Sequence, residues 1–291
     1  MTQDSYLIGL IGSGIGTSFS PMLHEREADL HGLRYLYRLI DLDRIGAEPD
    51  KVGELVGAAK GMGYRGLNIT HPCKQLVIEC LDELTPRAEA VGAVNTVVFE
   101  GEGRSARAVG HNTDVTGFAA SFERELGEAP RERVVQLGAG GAGAAVAHAL
   151  LTRGIRHLAI VDPLTDRAVA LAFSLNRQFG DDRATASASD DLPGLMDRAD
   201  GLVHTTPTGM STHPGLPLPA DLLHPDLWVV DVVYRPLETE LLRIARARGC
   251  TALNGVGMVV SQAADAFRLF TGREPDRSRM LAHGAELADL E

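Results

Sequence analysis

Apolar runs of strand length alternate with stretches of helical spacing along most of the chain. Residues 6–11 read as a strand, and 21–31 as a helix entered after Ser20 with Pro21 in its first turn. Strand 35–42, helix 51–59 and strand 66–70 follow. Residues 73–84 read as an amphipathic helix, because Leu76, Val77, Cys80, Leu81 and Leu84 fall on one helical face. Residues 94–99 return to strand. Beyond Asn112 the spacing predicts helix 116–126, strand 134–137, an alanine-rich helix 142–152, strand 157–161 and helix 167–178. Strands 184–188, 201–205 and 228–233 come next, and helices 257–270 and 276–290 close the chain. Alternation of this kind predicts an α/β fold with a largely parallel sheet.

One turn in that pattern carries chemistry of its own. Gly138-Ala139-Gly140-Gly141-Ala142-Gly143 satisfies G-x-G-x-x-G, follows an apolar strand and opens a helix. In that setting Gly138 permits the tight turn, Gly140 lets backbone approach a pyrophosphate, and Gly143 allows close helix–strand packing. The N–H groups and partial positive charge of the helix start suit phosphate. Asp162 ends the next strand, where a carboxylate can take the adenosine ribose hydroxyls and repel a 2′-phosphate. Pro163 and Leu164 add no cation, although Arg167 follows close behind. NAD is therefore expected over NADP.

Composition narrows the partners. The chain has 291 residues, 44% hydrophobic and 23% charged, which excludes wholesale disorder. A formal net charge of -11 opposes non-specific binding to nucleic acid or anionic membrane. Three cysteines without metal-ligand spacing, no basic apolar leader and no long uncharged apolar run predict a reduced, cytoplasmic protein with no membrane span. The ten histidines form no H-E-x-x-H or H-x-x-E-H array, so no metal is expected.

In the first half, polar residues gather where strands end. Ser18 and Ser20 stand at a helix entrance, suited to a carboxylate or simply to capping. Asn68, Thr70, His71 and Lys74 crowd the end of one strand, the end at which α/β proteins bind ligands. A lysine in the first turn of a helix opposes the helix dipole, which marks Lys74 as a functional candidate. Cys73 beside it reads as a core residue. Gly92-Ala93-Val94-Asn95-Thr96 and Gly110-His111-Asn112-Thr113-Asp114 place further amides and hydroxyls beside strands.

Taken together these segments resemble the shikimate dehydrogenase family, including the branch that also accepts quinate. S-x-S-P lies at 18–21, N-I-T-H-P-x-K at 68–74, G-A-V-N-T at 92–96, G-x-N-T-D at 110–114 and G-A-G-G-A-G at 138–143. T-P-x-G-M lies at 206–210, D-x-x-Y-x-P at 231–236 and G-x-G-M…Q at 255–262. The resemblance implies two domains: a Rossmann-like, doubly wound NAD-binding domain at 114–255, and an α/β substrate domain built from both chain ends, 1–113 with 256–291. It implies that Lys74 and Asp114 form the catalytic pair. Ser18, Ser20, Asn68, Thr70, Asn95, Tyr234 and Gln262 would join them in holding the substrate. Gly138 to Ala142, Asp162, Arg167, Thr205, Thr206, Pro207, Val232 and Gly255 would hold the cofactor. NADP-linked members carry N-R-T where this chain has Asp162-Pro163-Leu164, and the His71 motif and the ending A-F-R-L-F-T-G-x-E-P-D-x-S-R-M look like the NAD-using branch. The implied reaction is reversible oxidation of a ring alcohol of quinate or shikimate, with the proton passing to Lys74. Ser20 leaves the choice between the two acids open, and a homo-oligomer is compatible with the resemblance. An NADP-linked shikimate dehydrogenase, an aminoshikimate dehydrogenase and a non-catalytic NAD(H)-binding sensor are the alternatives.

Overall fold

The computed structural model describes residues 5–101 and 103–289. The described residues divide into two compact units, those within 5–117 together with 260–289, and residues 118–259. Both divisions fall inside helices, a few residues beyond the motifs that suggested a boundary.

In the first unit the chain runs β1 (Ser5–Gly12), α1 (Ser20–Leu30), β2 (Arg34–Asp41), α2 (Leu42–Ile45), α3 (Val52–Gly61) and β3 (Gly66–Ile69). It continues through β4 (Glu83–Leu84), α4 (Pro86–Val91), β5 (Thr96–Glu100), β6 (Arg107–His111) and the start of α5 (Asp114–Leu126). The strand order is β2-β1-β3-β5-β6-β4. β1 pairs parallel with β2 and β3, but β5 is antiparallel to both β3 and β6. The sheet is thus mixed rather than largely parallel, because the short link from β5 to β6 leaves no room for the crossover that parallel pairing requires. Ile8, Ile11, Leu67, Ile69 and Val97 are buried in its core.

The expected helix over 73–84 does not form. A 3₁₀ turn spans Leu76–Cys80, and the chain then straightens into β4 beside β6. Sheet pairing outweighs the helical period here. Asp82 N–H donates to Ala108 O (3.0 Å) and Ala108 N–H to the Asp82 carboxylate (2.7 Å). Leu81 and Leu84 instead cover Gly110, where a Cβ would come within 2.7 Å of the Leu81 side chain.

The second unit contains β7 (Arg133–Leu137), α6 (Gly141–Thr152), β8 (His157–Val161), α7 (Thr165–Phe179), β9 (Ala184–Ser187) and α8 (Leu192–Met196). β10 (Gly201–His204), β11 (Trp228–Asp231), α9 (Glu240–Ala247) and β12 (Thr251–Leu253) complete it. Its order, β12-β11-β10-β7-β8-β9, is parallel at every pairing. That is the doubly wound arrangement, with the order reversing at β7. β10 and β11 are buried along their whole length, as strands covered on both faces must be.

α10 (Val256–Thr271) and α11 (Arg277–Asp289) end the described chain; Leu290, the expected end of the last helix, lies outside the described residues. A buried carboxylate fastens α11 to α1 within the first unit. Glu27, 2% exposed, accepts from Arg279 Nη2 (2.7 Å) and Nε (3.0 Å) and from Asp276 N–H (2.9 Å). Burial alone would raise its pKa, but Arg279, the Asp276 N–H and His31 together hold it below the ordinary carboxylate range. The depressed value makes this contribution present above the unfolded pKa and lost as pH falls through the folded one. Glu27→Gln should therefore reduce unfolding free energy by about 1.5–3 kcal/mol at neutral pH. In urea melts the gap between the two proteins should close as pH drops below the ordinary carboxylate range. A gap that stays constant into acid would contradict this role.

Candidate active site

In the first unit the ends of β1, β3 and β6 and the start of β5 meet the start of α5. Ser13 N–H donates to His71 O (2.9 Å) and Thr70 N–H to Ile11 O (2.9 Å), which join the segments following β1 and β3. Lys74 lies in the turns after β3, its carbonyl accepting from Val94 N–H (2.8 Å). It does not begin an α-helix, so the expected dipole penalty on its charge is absent. What marks it is its partner: Lys74 Nζ donates to Asp114 Oδ2 at 2.7 Å, with side chains 14% and 6% exposed. Asp114 is the first residue of α5, where the free N–H groups favour a carboxylate. Thr116, two residues on, donates to Asp265 of α10 and anchors that helix start.

Asn95 holds the other oxygen of the pair. Its Nδ2 donates to Asp114 Oδ1 (2.9 Å) and Thr113 Oγ1 (2.8 Å), and its Oδ1 accepts from Thr113 N–H (2.8 Å) and Thr96 Oγ1 (3.1 Å). Asn68 sits across the β3–β5 pairing from Thr96. It donates to Thr96 Oγ1 (3.0 Å) and Asn95 O (3.2 Å), and accepts from the Tyr37 hydroxyl at 2.8 Å. Both Asn68 amide hydrogens are thus engaged inside the protein, and its remaining capacity is that of an acceptor. Gln262, on α10, accepts at its Oε1 from Asn95 and Thr113 at 3.4 Å each, which turns its amide NH₂ toward donation. Ser18, ahead of α1, hydrogen-bonds Ser20, its first residue, at 3.2 Å, and Thr70 is half-buried. Tyr234 lies in the second unit, in the turn after β11.

Tyr37, Thr96 and Thr113 were not among the expected site residues. The last two fall inside quoted motifs, whereas nothing in the spacing of β2 distinguishes Tyr37. Cys73 is fully buried, and burial pushes its thiol up to about 11.

In the second unit the glycine loop joins β7 to α6. Gly138 has φ +105°, and a Cβ there would lie 2.6 Å from Thr205 Oγ1. A Cβ on Gly143 would lie 2.4 Å from Gly138 O, whereas one on Gly140 would meet nothing within 4 Å. The loop is tight on its inner side and open at its crest, and no side chain caps α6. Asp162 fastens it: Oδ2 accepts from Ala139 N–H (2.7 Å) and Oδ1 from Leu164 N–H (2.8 Å). Thr205 Oγ1 donates to Leu137 O (2.8 Å) and Gly138 O (3.1 Å). Thr206 and Pro207 follow β10, Val232 follows β11, and a Cβ on Gly255 would clash with Val232 O at 2.2 Å. Arg167 is exposed on the first turn of α7. An open glycine crest, an uncapped helix start and a carboxylate at the end of β8 fit a dinucleotide. Among the described residues, no group of three or more His, Cys, Asp and Glu is placed to hold a metal ion, and no helix is long and apolar enough to cross a membrane.

The chain is similar to known proteins over nearly its whole length. The family model for the shikimate dehydrogenase substrate binding domain matches residues 10–97, and that for the shikimate 5′-dehydrogenase C-terminal domain matches residues 255–283. The chain is 71% identical over 288 residues to the shikimate dehydrogenase (NADP(+)) of Streptomyces avermitilis, covering 99% of this chain and 98% of the relative. It is 47% identical to the quinate/shikimate dehydrogenase (NAD(+)) of Corynebacterium glutamicum, covering 96% and 97%. The solved quinate dehydrogenase of Corynebacterium glutamicum in complex with NAD superposes with a TM-score of 0.87 at 45% identity, covering 98% of this chain and all of that one.

The buried thiol gives a direct check on the neighbour of Lys74. Iodoacetamide at about pH 8 should modify exposed Cys80 and leave Cys73 unlabelled in the native protein, as read by peptide mass spectrometry. Rapid labelling of Cys73 would contradict its placement in the core.

Proposed function

The chain belongs to the shikimate dehydrogenase family, and from that premise we propose that it reversibly oxidises quinate, shikimate or both to the dehydro ketone with NAD. The observation that carries the reading is the shielded Lys74–Asp114 pair, its carboxylate fixed from the far side by Asn95. A lysine ammonium held this way stands ready to protonate an alkoxide as it forms, and in the opposite direction takes the hydroxyl proton. Asp114 keeps Nζ in place and shares its charge, so the proton moves at a fixed atom. Ser18 and Ser20 offer hydroxyls to the substrate carboxylate. Asn68 accepts from, and Gln262 donates to, the ring hydroxyls. Bound NAD supplies the nicotinamide carbon that takes up or returns the hydride. Gly138, Ala139, Gly140, Gly141 and Ala142 would hold its pyrophosphate, and Asp162 its adenosine ribose. Thr205, Thr206, Pro207, Val232 and Gly255 line the C-terminal ends of β10 and β11 for the nicotinamide end.

Asp162 supports NAD over NADP, since a carboxylate just past the second strand of such a unit suits the ribose hydroxyls and repels a 2′-phosphate, and Pro163 and Leu164 beside it add no cation. A second reading, an NADP-linked shikimate dehydrogenase, is favoured by the name of the Streptomyces relative and by Arg167 nearby. Quinate and shikimate, each offered with NAD and NADP, separate the two readings by absorbance of the reduced cofactor. Turnover with NAD is expected; turnover of shikimate with NADP alone would overturn the cofactor assignment and keep the pair. Lys74→Ala should lower kcat by about 10²–10⁴-fold, the usual contribution of a positioned acid or base. A folded variant with near-normal kcat would remove Lys74 from the chemistry.

A further inference from the structure

Gln136 is fully buried in the middle of the second unit's sheet, on β7, the strand that feeds the glycine loop. Its side-chain Nε2 donates to Gly138 O (2.8 Å) and to Gly143 O (2.9 Å), the first and last glycines of the G-x-G-x-x-G run. One amide group therefore staples both ends of the loop from beneath. Its orientation is fixed by chemistry: both targets are carbonyl oxygens, so the opposite rotamer would set oxygen against oxygen. Gln136 Oε1 has no hydrogen-bond partner among the described residues. An unpaired buried acceptor costs stability, and an apolar side chain of the same length would avoid that cost. The amide hydrogens are what Gln supplies at this position.

We propose that Gln136 is a positioning residue that holds the glycine loop in its phosphate-accepting shape, acting on cofactor affinity through Gly138 and Gly143 without touching the cofactor. This rests on the reading of the loop as a dinucleotide site. Thr205 and Asp162 fasten the same loop at its side and front, but among the described residues Gln136 is the side chain that hydrogen-bonds to both of its ends. Without the staple the N–H groups at the crest are no longer preset, and the dinucleotide must order them on binding.

The test is direct binding of NADH and NADPH to wild type, Gln136→Met and Gln136→Glu, followed by nicotinamide fluorescence, with circular dichroism melts reporting folding. Gln136→Met keeps the length and removes both donors, so the dissociation constant of the preferred cofactor should rise about five- to thirtyfold. That rise should be the same at about pH 6 and about pH 9. Gln136→Glu places a carboxyl against two carbonyls, and it can donate only when protonated. Its dissociation constant, relative to wild type, should grow between those two pH values. A folded Gln136→Met that binds within about twofold of wild type would overturn the proposal. So would a Gln136→Glu penalty that does not change with pH, and this second result decides the matter where Gln136→Met does not fold. Wild type that binds neither cofactor would overturn the dinucleotide reading itself, and the proposal with it.

Discussion

An ammonium and a carboxylate shielded from water keep their charges only where the surroundings replace the lost hydration, and the first unit is organised around meeting that demand for Lys74 and Asp114. The ion pair satisfies one carboxylate oxygen, Asn95 the other, and the start of α5 adds its dipole. Asn95 in turn is held by Thr96 and Thr113, so the support passes into the β3–β5–β6 pairing, where Asn68 faces Thr96 and Thr96 faces His111. The antiparallel strand that breaks the parallel order of this sheet is the strand that carries this support. Had β5 run parallel to β3, the side chains now facing Asn68 across that pairing would change, and the amide chain from Tyr37 to Asp114 would not close.

The two units meet a similar problem with a similar device. β1 ends in a glycine-containing turn ahead of α1, and Asp41, at the end of β2, accepts from Gly14 N–H (3.2 Å) and Asp43 N–H (3.2 Å). In the second unit Asp162, just past β8, does the same for Ala139 and Leu164. In each case a carboxylate turns its own backbone two residues on and reaches back to hold the preceding glycine turn. The shared logic is that such a turn has little side-chain packing of its own, so its shape must be imposed by hydrogen bonds from a neighbouring strand.

Where the sequence was legible, the physical signal was local. β8, β10 and β11 are buried almost throughout and so read as short apolar runs, with a polar residue at one end of each. The G-x-G-x-x-G turn was legible because its first and last glycines, Gly138 and Gly143, answer to steric limits. The Lys74–Asp114 pair was named from family motifs, since no local pattern joins residues forty positions apart. What escaped depends on partners distant in the chain. Residues 73–84 carry a helical period that loses to pairing with β6, a strand itself unread because its run is short and interrupted by Gly110. α9, capped by Thr239, is not among the expected elements, since its eight residues make a short amphipathic run broken up by Arg243 and Arg246. Tyr37 and Gln136 look like ordinary strand residues until their hydrogen bonds are drawn.

The cofactor question turns on how narrowly such information is held. Identity of 71% to a protein named for NADP and 47% to one named for NAD is counted over nearly the whole chain. Most of those positions maintain cores and sheets that both kinds of enzyme need. Selection between the two cofactors is exerted at one hydroxyl of the ribose, by whichever charge stands beside it. In the proposed reading that charge is the Asp162 carboxylate, which accepts from the Ala139 and Leu164 N–H groups and so shapes the glycine loop as well. A residue with both duties resists replacement more than a purely selective one, because exchanging its charge also releases the loop. The proposed preference for NAD therefore rests on the local geometry at Asp162 and not on the similarity of the chains as wholes.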